Sequence, residues 1–116
     1  MRLKTELYEK EQNDLSNKII DILELDDENS ITLYELDNNE TKQKQILHLI
    51  PEIRKYFSYA CMKGVRNPES CKRPYLSIIK HLIKNKYNIY NSDTRLIINN
   101  ETIRTTRYIF SRKKEI

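Results

Sequence analysis

Glycine and alanine occur once each in this chain of 116 residues, at Gly64 and Ala60, and tryptophan does not occur at all. A single glycine leaves no glycine-rich loop to cradle a nucleotide phosphate, and neither a GxSxG elbow nor an HExxH helix is present. There are two histidines, His48 and His81, and the carboxylates of the second half are five scattered ones: Glu52, Glu69, Asp93, Glu101 and Glu115. These are few parts for acid–base or metal-assisted chemistry, so the expectation is a non-catalytic protein without cofactor or metal. Two cysteines, Cys61 and Cys71, are too few for a disulfide framework, and with the histidines they lack the close ligand pairing of a zinc module. No run of about 20 apolar residues suits a bilayer span. The segment MRLKTELYEKEQ has neither the apolar core nor the cleavage site of a secretory leader. The expected protein is soluble and intracellular, in cytoplasm or nucleus, with no membrane partner.

Acidic residues are also missing from one half. Residues 1–50 carry six Lys/Arg against twelve Asp/Glu, a net of −6, whereas residues 51–116 carry fifteen against five, a net of +10. From Ser70 through Ser92 there is no Asp or Glu, while Lys72, Arg73, Lys80, Lys84 and Lys86 fall inside that window. The abundance of Lys, Ile and Asn is what an AT-rich genome would produce, but codon bias raises lysine everywhere and does not place it. A basic surface confined to one part of a small protein is the electrostatic footprint of a polyanion, since each neutralised phosphate releases condensed counterions. The plainer reading is an ordinary solvated face.

The length suits one domain spanning residues 1–116. Leu3, Leu7, Leu15, Ile19, Ile22 and Leu23 recur at helical spacing and predict an acidic helix over residues 4–25. After the break at Asp26-Asp27-Glu28, the alternating, β-rich Ile31-Thr-Leu-Tyr-Glu-Leu36 predicts a strand over residues 31–36. Asp37 and Glu40 make a capping-box-like start to a helix over residues 38–49, and Pro51 predicts a bend before the next. Ile53, Tyr56, Phe57, Ala60 and Cys61 form one buried stripe, with Gly64 as its C-terminal stop. A polar loop, Val65 to Arg73, leads to Pro74 and a second five-residue stripe, Tyr75, Ile78, Ile79, Leu82 and Ile83, which closes a helical core over residues 38–86.

Opposite that last stripe, Arg73, Ser77, Lys80 and Lys84 follow at helical intervals with His81 beside them, and Lys72 just ahead, giving a face of donors and cations. Such a helix fits the major groove, where Arg and Lys reach guanine acceptors. The period then changes: Tyr87 and Ile89 alternate, Asn91-Ser-Asp93 reads as a turn, and Arg95 to Ile98 leads through Asn99-Asn100 into Thr102 to Phe110. The expected hairpin covers residues 87–110 and carries Arg95, Arg104 and Arg107 towards phosphates, and the tail at residues 111–116 adds Arg112, Lys113 and Lys114.

This order of helix, strand, helices and hairpin resembles the winged-helix branch of the helix-turn-helix folds. The resemblance implies an α+β protein, mostly helical, with four helices, one short strand and a C-terminal β-hairpin as the wing, and a recognition role for the helix from Arg73 to Lys86. It departs from the family's pattern by one additional helix and by the long loop from Val65 to Arg73. The phrases Leu49-Ile-Pro-Glu-Ile-Arg-Lys-Tyr-Phe57, Lys72-Arg-Pro-Tyr-Leu-Ser-Ile-Ile79 and Arg104-Thr-Thr-Arg-Tyr-Ile-Phe110 are similar to those of small uncharacterised proteins of large DNA viruses. That likeness implies a viral transcription, replication or packaging factor acting in an infected host or in the virion. The expected partner is nucleic acid, duplex DNA ahead of RNA. The rival reading is a protein–protein or virion-structural module that uses the opposite charge of its two halves in head-to-tail or isologous association; the oligomeric state is left open by the sequence, with a homodimer as one assembly it allows.

Overall fold

A computed structural model describes the backbone of residues 2–56 and 63–114, with side chains described for residues 9–55 and 64–114. The first helix, α1 (Arg2–Leu23), buries Leu15, Ile19 and Leu23, one residue per turn on a single face. It ends in a Schellman motif: Leu25 N–H donates to the Ile20 carbonyl (3.0 Å) and Glu24 N–H to that of Asp21 (3.2 Å). The motif requires a left-handed residue, and Glu24 supplies it at φ 56° where glycine is usual.

The strand expected at residues 31–36 lies earlier, as β1 (Glu28–Thr32), and Leu33–Asp37 forms a one-turn helix, α2. The reason is local. Thr32 Oγ1 accepts from Glu35 N–H at 3.2 Å, so Thr32-Leu-Tyr-Glu35 caps a helix at the point where the alternating pattern would continue a strand. The cap of the next helix, α3 (Glu40–Leu47), is Asn39, whose side chain accepts from Lys42 N–H. Asp37 therefore does not form the expected capping box. It ends α2 and is used elsewhere.

Helix α4 (Ile50–Tyr56) follows with Pro51 in its first turn, and the stripe expected at Phe57, Ala60 and Cys61 lies outside the described residues. The segment expected as a polar loop is largely structured: α5 (Lys63–Arg66) and a 3₁₀ turn (Pro68–Ser70) occupy it, and Val65 is fully buried. Arg54 donates to the Val65 carbonyl through Nη2 (2.8 Å) and Nε (3.3 Å), which joins α4 to α5. Gly64 is not a helix stop. It lies within α5 with no positive φ, and a Cβ there would stand 2.7 Å from the Pro74 carbonyl oxygen. What glycine provides is close approach to the start of α6 (Pro74–Ile83), whose Tyr75, Ile78, Ile79, Leu82 and Ile83 are all buried, as the spacing predicts.

The hairpin strands are β2 (Tyr87–Ile98) and β3 (Glu101–Arg112), continuous over twelve residues each. Asn91-Ser92-Asp93 makes no turn; the three residues pair with Tyr108, Arg107 and Thr106, because a register fixed at both ends outweighs their turn preference. The true turn is Asn99-Asn100, at φ 52° and 67°, the left-handed pair of a tight two-residue hairpin. β1 pairs antiparallel with β3 to give the sheet order β1-β3-β2. The fold is thus α+β, with a three-stranded antiparallel sheet, and six helical segments plus the 3₁₀ turn among the described residues where four helices are expected. Tyr87, Tyr108 and Phe110 turn from the sheet into the helical core. No helix among the described residues is long and apolar enough to cross a membrane.

Two substitutions test this construction by denaturant unfolding. Gly64→Ala should destabilise by about 1–3 kcal/mol through overpacking against Pro74, although alanine in an open helical site would stabilise; a raised midpoint would show that α5 and α6 do not approach so closely. Glu24→Gly should stabilise by up to about 1 kcal/mol, by relieving a left-handed non-glycine residue, and a loss of stability would contradict the helix end described.

Candidate nucleic-acid interface

The register decides which cations share a face. Pairing of Arg95 with Arg104, and of Asn91 with Tyr108, puts these four side chains on the side of the sheet that packs against the helices, whereas Arg107, one residue before Tyr108, points to the opposite side. There its Nη1 donates to Ser30 Oγ (3.1 Å), beside a shallow cavity lined by Glu28, Asn29, Ser30, Arg107 and Ile109. Arg107 is thereby separated from Arg104.

Beyond Arg107 the sheet loses β1, and rows 93–98 and 101–106 continue as a two-stranded arm about 20 Å long at ~3.3 Å per residue. At its root Tyr34 N–H donates to Thr105 Oγ1 (3.0 Å), so α2 braces the arm there. Arg95 and Arg104 face each other directly across it, both exposed, and among the described residues neither is in an ion pair. Like charges directly opposite destabilise a strand pair. An anion laid against this face would turn that repulsion into attraction.

Helix α6 brings Lys80 to the same side. Its Nζ lies 5.1 Å from the centroid of the Tyr108 ring, a cation–π contact that holds the exposed ammonium over the sheet four residues from Arg104. Lys84 follows one turn later, also exposed. His81 is half-buried; burial first, and the neighbouring Lys84 second, hold its imidazole below the ordinary value. Ser77 is also half-buried, against the α5 glycine.

Arg73 does not face outward as a reader of bases. It occupies the N-cap position of α6 without a capping hydrogen bond from its side chain, and grips Asp37 in a bidentate pair, with Nε 2.9 Å from Oδ1 and Nη2 2.9 Å from Oδ2. Tyr75 Oη donates to the same Oδ1. The Arg73 hydrogen bond is the main reason the Asp37 carboxyl is held below the ordinary carboxylate value, and Tyr75 is pushed up to about 12, by burial first and then by Asp37. Lys72 is exposed nearby and adds to the pull on Asp37. The cluster joins the end of α2 to the start of α6 and fixes how α6 presents Lys80.

The tail cations form a second centre. Arg112, Lys113 and Lys114 line a polar cavity of about 290 Å³ with Asn13, Asn85 and Lys86, and Arg112 stands 6.0 Å from the Tyr87 ring centroid. Arg112 lies eight positions beyond Arg104 on β3, about 26 Å away. Asn13 and Asn85 were invisible as members of this set, because only the docking of α1 beside the end of α6 brings them together. A separate groove of about 560 Å³ between α1 and α3, lined by Ile22, Lys44, His48 and Leu49 among others, contains none of the predicted cations. Comparison with protein-family models, with curated proteins and with solved structures gave no match, so the residues themselves carry the functional argument.

Asp37→Asn should cost about 1–2 kcal/mol at neutral pH, as expected for a half-exposed, doubly hydrogen-bonded charge pair. The folded carboxyl titrates below its unfolded value, so this contribution is complete above about pH 4 and disappears as pH falls through the folded value. The stability difference between wild type and variant, from urea unfolding at several pH values, should therefore narrow on acidification; a difference constant from pH 7 to about 3 would mean that the carboxylate is not what holds Arg73.

Proposed function

We propose that this protein is a non-catalytic nucleic-acid-binding domain of winged-helix type, which holds duplex DNA between α6 and the hairpin arm. The observation that carries the reading is the Arg95–Arg104 pair, neither member of which is in an ion pair among the described residues, on an arm whose same face continues to Lys80. Folding tolerates such a pair at a cost, and phosphate binding removes the cost. The order of elements supports the same reading, since one early strand, β1, closes on the hairpin base while the last helix before the hairpin sets Lys80 over Tyr108 of that base.

In this arrangement Lys80 of α6 and Lys84, the C-cap just beyond it, meet the backbone flanking a groove, and Arg104, Arg95 and the arm tip follow an adjacent stretch of phosphates. Arg73 acts through its pair with Asp37 by orienting α6. The cavity at Lys86 and Arg112 to Lys114 lies far enough along the sheet to meet a more distant phosphate, which extends the footprint. The resemblance to small proteins of large DNA viruses makes viral DNA the natural target, in transcription, replication or packaging.

The test is fluorescence anisotropy of labelled duplex DNA at several salt concentrations. Binding should weaken linearly in log salt, with a slope near −0.9 per neutralised phosphate. The Lys80→Ala/Lys84→Ala/Arg104→Ala variant should bind at least about tenfold more weakly and with a slope flatter by about two to three. Absence of binding at low salt would reject the reading in favour of a protein-docking basic half, and binding unchanged in the triple variant would reject this interface.

A further inference from the structure

Among the described residues no strand pairs with the outer edge of β2. β2 is the last strand of the order β1-β3-β2, pairs with β3 without a bulge, and contains no proline. Natural edge strands are usually short, bulged, or defended by proline or several charges of one sign. This one has one acid and one base, Asp93 and Arg95, and it carries the two most exposed large apolar side chains among the described residues, Tyr90 at 56% and Ile97 at 78%.

The ladder shows which backbone groups face that edge. Lys113 N–H donates to the Lys86 carbonyl at 2.9 Å, so it is the even-numbered residues of β2 that exchange hydrogen bonds with β3. The N–H and C=O groups of Tyr87, Ile89, Asn91, Asp93, Arg95 and Ile97 therefore point outward. An antiparallel partner must satisfy these odd-numbered residues, and if the partner is a second copy, two-fold symmetry restricts the register. Centring the axis on Asp93 opposes two carboxylates, and centring it on Arg95 opposes two guanidinium groups. Centring it on Thr94 places Asp93 opposite Arg95 of the other copy, twice.

We infer that two copies of this chain associate through β2, antiparallel and centred on Thr94, to form one continuous six-stranded sheet. In that register Asn91 faces Ile97 of the second copy, and Tyr90 faces its Ile98 with Leu96 diagonally adjacent. Both exposed apolar side chains thus gain neighbours, and about eight backbone hydrogen bonds form. Asp93 of one copy also approaches Arg95 of the other from the side opposite Arg104. Arg104, on β3, is left outward.

Sedimentation equilibrium of the full chain, without nucleic acid, tests the inference. The wild type should show a reversible monomer–dimer equilibrium below about 0.5 mM. Asp93→Arg should weaken it at least about tenfold, and Asp93→Arg/Arg95→Asp, which restores opposite charges in the same register, should recover it. Asn91→Pro removes an outward N–H without touching the β2–β3 ladder, so by circular dichroism it should fold as wild type while the dimer is lost. A wild type that stays monomeric at about 0.5 mM, or a dimer indifferent to Asp93→Arg, would overturn the proposal.

Discussion

One register governs the molecule. The Asn99-Asn100 turn allows no extra residue, so every side chain of β2 and β3 is assigned to a face by its distance from that turn. Tyr87, Tyr108 and Phe110 are turned to the helices, and with them the core closes. Arg104 comes to lie opposite Arg95, while Arg107 goes to the far side with Ser30. A slip by one residue would drive Arg107 into the helices and expel Tyr108. Core and candidate binding face are thus two results of one constraint, and neither can be redesigned without the other.

The segregation of charge along the chain is partly consumed inside the fold. Asp37, from the acidic half, holds Arg73, from the basic half, at the junction of α2 and α6. Lys18 and Glu52 form the reverse combination between α1 and α4 at 3.0 Å, exposed and correspondingly weak. Among the described residues, Arg95 and Arg104 on the arm, Lys80 on α6, and Arg112, Lys113 and Lys114 at the end of β3 are in no ion pair. A contrast that looks global in the sequence becomes a set of local pairs plus a residue of unpaired positive charge, and that residue is what a polyanion would meet.

Much of this was legible in the residue pattern because it follows from periodicity. The stripes of α1 and α6 recur at helical intervals, and the hairpin was visible in its Asn-Asn turn. What escaped the pattern depended on contacts between distant residues or on competing local signals. Thr32-Leu-Tyr-Glu35 alternates like a strand and also spells a helix cap, and the cap prevailed. Asn91-Ser-Asp93 has turn chemistry, but strand pairing overrode it. Val65, set among polar neighbours, is core because Arg54 and the α5–α6 approach enclose it. Arg73 looked like a base reader on its helix face, and only the return of the chain past Asp37, 36 residues earlier, changes its role.

The central position of β3 bears on how the chain acquires its structure. β1 has no strand partner until β3 is available, roughly 80 residues later in the chain. A ribosome that has released β1 must therefore deliver every helix and the first hairpin strand before the sheet can close. During that interval β1 is without its strand partner. The helices can pack on one another before the sheet closes, so β1 is the one strand that the nascent chain holds unpaired while the helices that follow it are made.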